Sequence, residues 1–166
     1  MTRINLVDPS ALSDQHLRAE LRELPRVFSS KIDISDAPER YCLGKGHVKW
    51  AKAHPYFIVF RYKDLYKEAM FRGFETSYKP MDLWKKFWDS YYGSPQPFKD
   101  NYEVSVTDLV RSMTRIRERY LANPGFYKWT KRKKPAWMSM TDTEFEGFTC
   151  FLLKGEKNVK DKKVHL

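Results

Sequence analysis

The stretch SDQHLRAELRELPRVF, residues 13–28, has the clearest structural pattern in the chain. Its large apolar side chains recur at the spacing of an amphipathic α-helix, at Leu17, Leu21, Leu24 and Phe28. Ser13 and Asp14 are favoured N-cap residues, so the helix is predicted to begin at one of them. We expect the apolar stripe to face the core.

The opposite face of this helix is polar. Gathered around Ala19 are Gln15, His16, Arg22, Glu23 and Arg26. A carboxylate beside two guanidinium groups is most often a surface ion-pair cluster. It takes on a function where a polyanion occupies the arginines and leaves Glu23 facing a reaction centre. Both interpretations remain open at this point.

The rest of the chain also favours helices. Residues 60–72, the aromatic block before Gly93, and residues 104–121 have helical periodicity, whereas residues 31–56 are predicted to be irregular because Pro and Gly interrupt them. Thr141 and Glu144 have capping-box spacing and predict a further short element, followed by a frayed tail from residue 154. We predict an all-α fold, a compact single domain of three to four main helices with irregular connections.

The charge indicates a polyanionic partner. Lys and Arg number 31 against 21 Asp and Glu, a formal net charge of +10. Most of the excess lies in residues 111–134, where Glu118 is the one acidic residue among nine basic ones. Arg111, Arg115 and Arg119 would form a ridge on one helix face. Because aromatic residues such as Tyr127 and Trp129 are interleaved with the cations, this segment favours nucleic acid over a simple solvated surface.

Other classes of protein fit less well. No apolar run approaches the roughly 20 residues that a membrane span needs. Two cysteines are too few for a disulfide scaffold or a cysteine-based zinc site, so a reducing cytoplasm is the expected location. His47, beside Lys45 and Lys49, is interpreted as a loop residue rather than a catalyst.

The N-terminus is a candidate nucleophile. Thr2 is small, so an aminopeptidase is expected to remove Met1 and leave a threonine α-amine. Such an amine has a pKa of about 7.7–8.0, against about 10.4 for lysine, so far more of it is neutral and nucleophilic at pH 7. By itself a Met-Thr start is common and carries no specificity.

Longer runs of sequence resemble a known family. MTRINLVDPS at residues 1–10, SDQHL at 13–17 and RELPRVF at 22–28 closely resemble the phage-type pyrimidine-dimer DNA glycosylases, the phage endonuclease V family. LGKGHV at 43–48 and PGFYKW at 124–129 are similar to later landmarks of that family. The resemblance is dense over residues 1–30 and patchy over 43–130.

The resemblance implies a helical domain whose N-terminal arm reaches the active site. It also implies a two-step activity on double-stranded DNA containing pyrimidine dimers or abasic sites. The amine of Thr2 would displace the 5′ base of a dimer at C1′ and form a Schiff base, and β-elimination would then break the strand. Glu23 would stabilise the cationic sugar and take the 2′ proton. No metal and no cofactor are implied.

The resemblance also implies the residues that contact DNA. They are Arg3, Gln15, His16, Arg22, Arg26, Arg115, Arg119, Lys128 and Trp129. We expect a monomer in the cytoplasm of a bacterial or phage-infected cell, with no membrane partner. Residues 1–137 are predicted to form the glycosylase-like domain and residues 138–166 a C-terminal extension, partly ordered or frayed.

Departures from the family leave alternatives open. The aromatic block at 80–98 and the residues after Trp129 are additional to the family pattern. The protein is therefore interpreted as a bifunctional glycosylase and abasic-site lyase, or as a glycosylase for a different altered base, or as a non-catalytic DNA-binding relative. A basic RNA-binding protein is a weaker fourth possibility, because no RNP or KH motif is present.

Overall fold

The computed structural model describes residues 4–29, 31–92, 98–99 and 102–163, with side chains described up to residue 156. Within these ranges the protein is all-helical, as predicted, with six α-helices and no strand. The helices are α1 Asp14–Val27, α2 His47–Ala53, α3 Pro55–Arg72, α4 Pro80–Tyr92, α5 Val106–Ala122 and α6 Asp142–Lys163. The prediction of three to four main helices is therefore not confirmed.

Helix α1 forms as its sequence predicts. The Ser13 hydroxyl caps it by accepting the backbone N–H of His16, and its apolar stripe from Leu17 to Phe28 is buried. The helix packs against α3, which in turn packs against α4. One continuous core joins α1 to the large buried side chains of the other helices, among them Trp50, Ile58, Leu65 and Ile116.

The prediction for residues 31–56 was wrong in part. Helix α2 lies inside this stretch, and α3 begins at Pro55 rather than near residue 60. Helix α2 has seven residues, too few for a clear periodicity, and no side chain caps its N-terminus. His47 is its first residue and is buried, so its interpretation as a loop residue was also wrong. Gly73 ends α3 as predicted, in the left-handed conformation at φ 81°.

The C-terminal part packs onto α5 through an arginine. Arg117 is buried on the apolar side of α5, and its Nη2 donates to the Met140 carbonyl at 2.6 Å and lies 2.9 Å from an Asp142 carboxylate oxygen. Its guanidinium also sits over the Phe145 ring. The capping box is confirmed, since the Thr141 hydroxyl accepts the Glu144 N–H and the Glu144 carboxylate accepts the Thr141 N–H. Helix α6 then continues to Lys163, so residues 154–163 are helical rather than a frayed tail.

No helix in the described part of the chain is both long enough and apolar enough to cross a membrane.

Candidate functional site

The first described residues, 4–7, are buried and bound by side chains from four helices and a loop; we call them the arm. Ile4 is fully buried, and its N–H donates to His47 Nε2 at 3.1 Å. Its carbonyl accepts the Tyr41 hydroxyl at 2.8 Å. The Leu6 N–H donates to the Ser112 hydroxyl of α5 at 2.9 Å. The arm is thereby fixed against α2 and α5.

A buried ion pair fixes the arm against α1 and α3. The carboxylate of Glu20, fully buried, accepts both the backbone and the side-chain N–H of Asn5. Arg61 of α3 donates two hydrogen bonds to the same carboxylate and a third, at 2.7 Å, to the Val7 carbonyl. The burial of this ion pair is tolerated because both charged groups have hydrogen-bond partners. Removal of either Glu20 or Arg61 would leave the other charge buried without a counter-ion.

The start of α1 holds a distant segment of the chain. The Gln15 side-chain oxygen accepts the Lys128 N–H at 3.0 Å, and the Lys128 carbonyl accepts the Asp14 N–H at 2.8 Å. The His16 ring stacks on Tyr127, with centroids 4.8 Å apart and planes 8° from parallel. The structure thus brings together Gln15, His16 and Lys128, which were predicted as site residues although Lys128 lies 113 positions after Gln15.

Glu23 and Arg26 form the ion pair that the polar face of α1 suggested. Arg26 Nη1 lies 2.8 Å from Glu23 Oε1. The Arg26 side chain is 68% exposed, whereas that of Glu23 is 20% exposed. An exposed pair of this kind contributes only about 0–1 kcal/mol. A polyanion that offered Arg26 a phosphate could therefore separate the pair at low cost.

A cleft of about 820 Å³, here the α1 cleft, lies between α1 and the loop after α3. Its basic lining residues are Arg18, Arg22, Arg26 and Lys86, and Glu75 is the acidic one. Tyr62, Phe74 and Tyr78 add aromatic surface. Such a lining, cationic with aromatic faces, suits a phosphodiester backbone carrying a base.

A second cleft of about 390 Å³, here the α5 cleft, lies between α5 and residues 43–44. The predicted ridge of Arg111, Arg115 and Arg119 lines it. Arg115 lies close enough to Tyr41 and His47 for its positive charge to act on both groups. Burial is the larger cause in each: it raises the pKa of Tyr41, which Arg115 partly opposes, and it lowers the pKa of His47, to which Arg115 adds. The α5 cleft therefore adjoins the residues that hold Ile4.

Most of the basic run at 131–134 binds the protein itself. Arg132 is paired with Glu68 of α3, with Nη2 2.8 Å from a carboxylate oxygen. Lys131 donates to the Phe71 carbonyl and Lys134 to the Tyr120 hydroxyl. Trp129 also has a structural contact, because its indole N–H donates to the Ala11 carbonyl. The charge count alone therefore overstates how many cations of residues 131–134 are available to bind a partner.

Several predicted features stay predictions. Thr2 and Arg3 lie outside the described residues, and so does the reach of the arm to an active site. Arg22, Arg26, Arg115 and Arg119 line the two clefts, and their contact with DNA stays a prediction. In the described residues no three His, Cys, Asp or Glu side chains are close enough to hold a metal ion.

Sequence reasoning missed three residues at the site. Arg18 was not grouped with the polar face of α1, and its guanidinium sits 4.1 Å from the Phe74 ring centroid. Glu20, the partner of Asn5, was not singled out. Phe126 is 55% exposed beside Tyr127, an aromatic face open to solvent. The aromatic residues around Phe126 could have indicated a binding surface from the sequence alone. Nothing in the sequence indicated the role of Glu20, because its partners are distant.

A comparison with protein families gives these features a context. The family model described as pyrimidine dimer DNA glycosylase matches residues 1–85, which include the arm, α1, α2 and α3. The match ends before α5 and the segment at 127–130. It covers 85 of 166 residues, more than half of the chain. The protein belongs to the pyrimidine dimer DNA glycosylase family.

Proposed function

We propose that this protein excises pyrimidine dimers from double-stranded DNA and then cleaves the strand as an abasic-site lyase. The proposal rests on one observation: the part of the chain that matches the family includes the polar face of α1. Helix α1 lies wholly inside the match, and its polar face supplies Glu23 beside two arginines that open onto the α1 cleft.

In the proposed reaction the neutral α-amine of Thr2 attacks C1′ of the 5′ nucleotide of the dimer. The bond from C1′ to the base breaks, and the base takes up a proton as it leaves. Opening of the sugar ring gives an imine between the amine nitrogen and C1′. Removal of a proton from C2′ then expels the 3′ phosphate by β-elimination, which breaks the strand.

Glu23 supports both steps in this proposal. Its carboxylate stabilises the positive charge that develops on the sugar and later accepts the C2′ proton. Phosphate oxygens compete for Arg26, which frees the carboxylate from its present partner. Arg22 and Arg26 neutralise phosphates around the lesion, and Arg115 and Arg119 do so along the α5 cleft.

The chain connectivity supports Thr2 as the nucleophile. Thr2 is two residues before Ile4, and two residues of extended chain span at most about 7 Å. Ile4 is fixed between Tyr41 and His47, next to the α5 cleft. Removal of Met1 is part of the proposal, because an acylated Thr2 nitrogen is not nucleophilic.

Borohydride trapping tests this mechanism. Protein processed at Met1 should be trapped covalently on DNA containing an abasic site, and peptide mass spectrometry should find the modification on Thr2. A matched protein with one extra residue before Thr2 should bind the same DNA but not be trapped. Trapping on a lysine would refute the nucleophile assignment.

Base release and strand cleavage on dimer-containing DNA, measured beside the trapping, separate the alternatives. Release of the base without trapping or strand cleavage would indicate a glycosylase that lacks lyase activity. Binding to damaged DNA with neither release nor trapping would favour a non-catalytic DNA-binding relative. Release of an altered base other than a dimer would change the substrate but keep the reaction class.

A further inference from the structure

Both backbone hydrogen-bonding groups of Ile4 are taken by side chains from one short stretch of sequence. Tyr41 Oη donates to the carbonyl at 2.8 Å, and His47 Nε2 accepts the N–H at 3.1 Å. The two rings also touch each other, edge to face, with centroids 5.4 Å apart. Ile4 is thus gripped at two points, and we call Tyr41 and His47 the clamp.

His47 is held in the one neutral tautomer that can accept the Ile4 N–H at Nε2. Its Nδ1 lies 2.7 Å from the Cys42 carbonyl, which can only accept, so Nδ1 carries the proton and Nε2 is left as the acceptor. Trp50 also packs against the ring, with centroids 6.1 Å apart. Burial lowers the pKa of His47 to about 4, so the imidazole is neutral at physiological pH.

A purely structural purpose does not require this arrangement. Burial of Ile4 needs partners for its N–H and C=O, but water or the backbone usually meets that need. Asn5 and Leu6 already bind Glu20 and Ser112, so the arm has other anchors. Ile4 differs from them because it is the described residue nearest to Thr2, and a displaced reacting group loses rate steeply, about 100-fold for 1 Å.

We propose that Tyr41 and His47 are positioning residues that hold Ile4 so that the amine of Thr2 meets C1′ of the damaged nucleotide. This inference rests on the proposed function, since it assigns the clamp a role in that reaction. The clamp acts through the backbone and does not touch the substrate. Its removal should therefore lower the rate of imine formation and leave the binding of DNA unchanged.

Some variants keep an aromatic ring at each position, and these distinguish a role in positioning from a role in packing. His47→Phe removes the acceptor for the Ile4 N–H, and Tyr41→Phe removes one hydroxyl. His47→Gln returns an acceptor oxygen near the position of Nε2. His54→Phe is the matched control, because His54 is also a buried histidine packed on Trp50, but its Nδ1 bonds the Trp50 carbonyl instead of the arm.

The measurements are the borohydride-trapping rate at saturating abasic-site DNA and the dissociation constant for DNA with a stable abasic analogue. We expect trapping to slow about 10- to 100-fold in His47→Phe, with binding within about threefold of wild type. Tyr41→Phe should slow it less, and His47→Gln should recover much of the loss. His54→Phe should trap at nearly the wild-type rate.

Each outcome bears on the proposal. Wild-type trapping on Thr2 together with an unchanged rate in His47→Phe and Tyr41→Phe would overturn the clamp and leave the proposed function standing. An equal loss in His54→Phe would also overturn it, because any buried histidine would then matter. Wild-type protein trapped elsewhere, or not at all, would refute the proposed function first. If His47→Phe fails to fold, Tyr41→Phe and His47→Gln decide the question.

Discussion

The carboxylate of Asp14 accepts both the backbone N–H of Thr130, at 3.1 Å, and its hydroxyl, at 2.8 Å, across 116 positions of sequence. The same carboxylate lies 2.8 Å from the fully buried guanidinium of Arg72. One side chain therefore joins the start of α1 to the segment at 127–130 and to the end of α3. This junction is what places Lys128 beside Gln15 and His16.

Asp14→Asn should destabilise the fold. The substitution keeps the shape but removes the charge that Arg72 faces, and hydrogen bonds to charged groups contribute about 1.5–3 kcal/mol each. We expect the free energy of unfolding in urea to fall by about 2 kcal/mol. Asp64→Asn is the control, because Asp64 is exposed and its pair with Lys67 is long, at 3.9 Å. An equal loss of stability in both variants would show that the Asp14 junction does not stabilise the fold.

Glu23→Gln should abolish turnover and preserve binding. Loss of a general base or of a charge-stabilising group slows a reaction by about 10²–10⁴-fold. Single-turnover base release and strand cleavage on dimer-containing DNA measure the loss, and the dissociation constant should stay within a few-fold. Glu75→Gln changes the carboxylate that lines the α1 cleft and should leave the rate nearly unchanged. A fast Glu23→Gln enzyme would mean that a different group takes the proton.

The salt dependence of binding should identify the arginines that face DNA. Each phosphate contact contributes about −0.9 to the slope of log K against log salt. Arg115→Ala and Arg119→Ala should therefore each make that slope shallower by about one. Arg132→Ala should not, because Glu68 already neutralises Arg132. If only Arg132→Ala changes the slope, the DNA-facing surface lies on α3 and the 131–134 run.

Folding stability should fall in mild acid because of His47. Burial lowers its pKa from 6.5 to about 4, the Cys42 carbonyl partly opposes this, and the charge of Arg115 adds to it. Since the folded pKa is the lower one, the stabilisation is fully present above about pH 6.5 and is lost between about pH 6.5 and pH 4. The loss should approach about 3 kcal/mol.

Urea titrations at a series of pH values test this, with His47→Gln as the comparison. That variant has no imidazole at this position, so its stability curve should be flatter than that of wild type in this interval. Parallel curves for the two proteins would assign the acid sensitivity to other groups.

The C-terminal segment should contribute to the fold. Met138 is fully buried, and Phe145 is nearly so. Met138→Ala should lower the free energy of unfolding by about 2–4 kcal/mol, the usual cost of truncating a buried large side chain. Phe151→Ala, at a side chain 74% exposed, should change it little. A neutral Met138→Ala would support a separate extension beginning at residue 138, which is the boundary that the sequence suggested.

The sequence was informative where a helix carries its own signals. Helix α1 has a capping serine and a periodic apolar stripe. Helix α5 also has a serine cap and a regular apolar side, so the positions of both helices were predicted well. Helix α2 was missed because seven residues give little periodicity and its stability comes from Trp50 packed in the core. Arg117 lies on the apolar side of α5, and its partners Met140 and Asp142 are more than 20 residues away, so no local pattern predicts the contact.

The site shows the same limit. The polar face of α1 is local, so Gln15, His16, Arg22, Glu23 and Arg26 could be grouped from spacing. The clamp and the Asp14 junction join residues far apart in sequence, and no periodicity encodes such pairs. The basic run at 131–134 was overvalued for the converse reason, since its partners on α3 and α5 are invisible to a charge count.

The anchors of the arm also set an order of assembly during synthesis. Asn5 finds Glu20 early, but Ile4 must wait for Tyr41 and His47, and Leu6 for Ser112, 106 residues further along. At roughly 5–20 residues per second, a ribosome leaves the beginning of the chain unanchored for several seconds or more. Enzymes that trim a nascent chain ahead of Ile4 have that interval in which to act. The arm is thus made before most of its anchors and is among the last segments to be fixed in place.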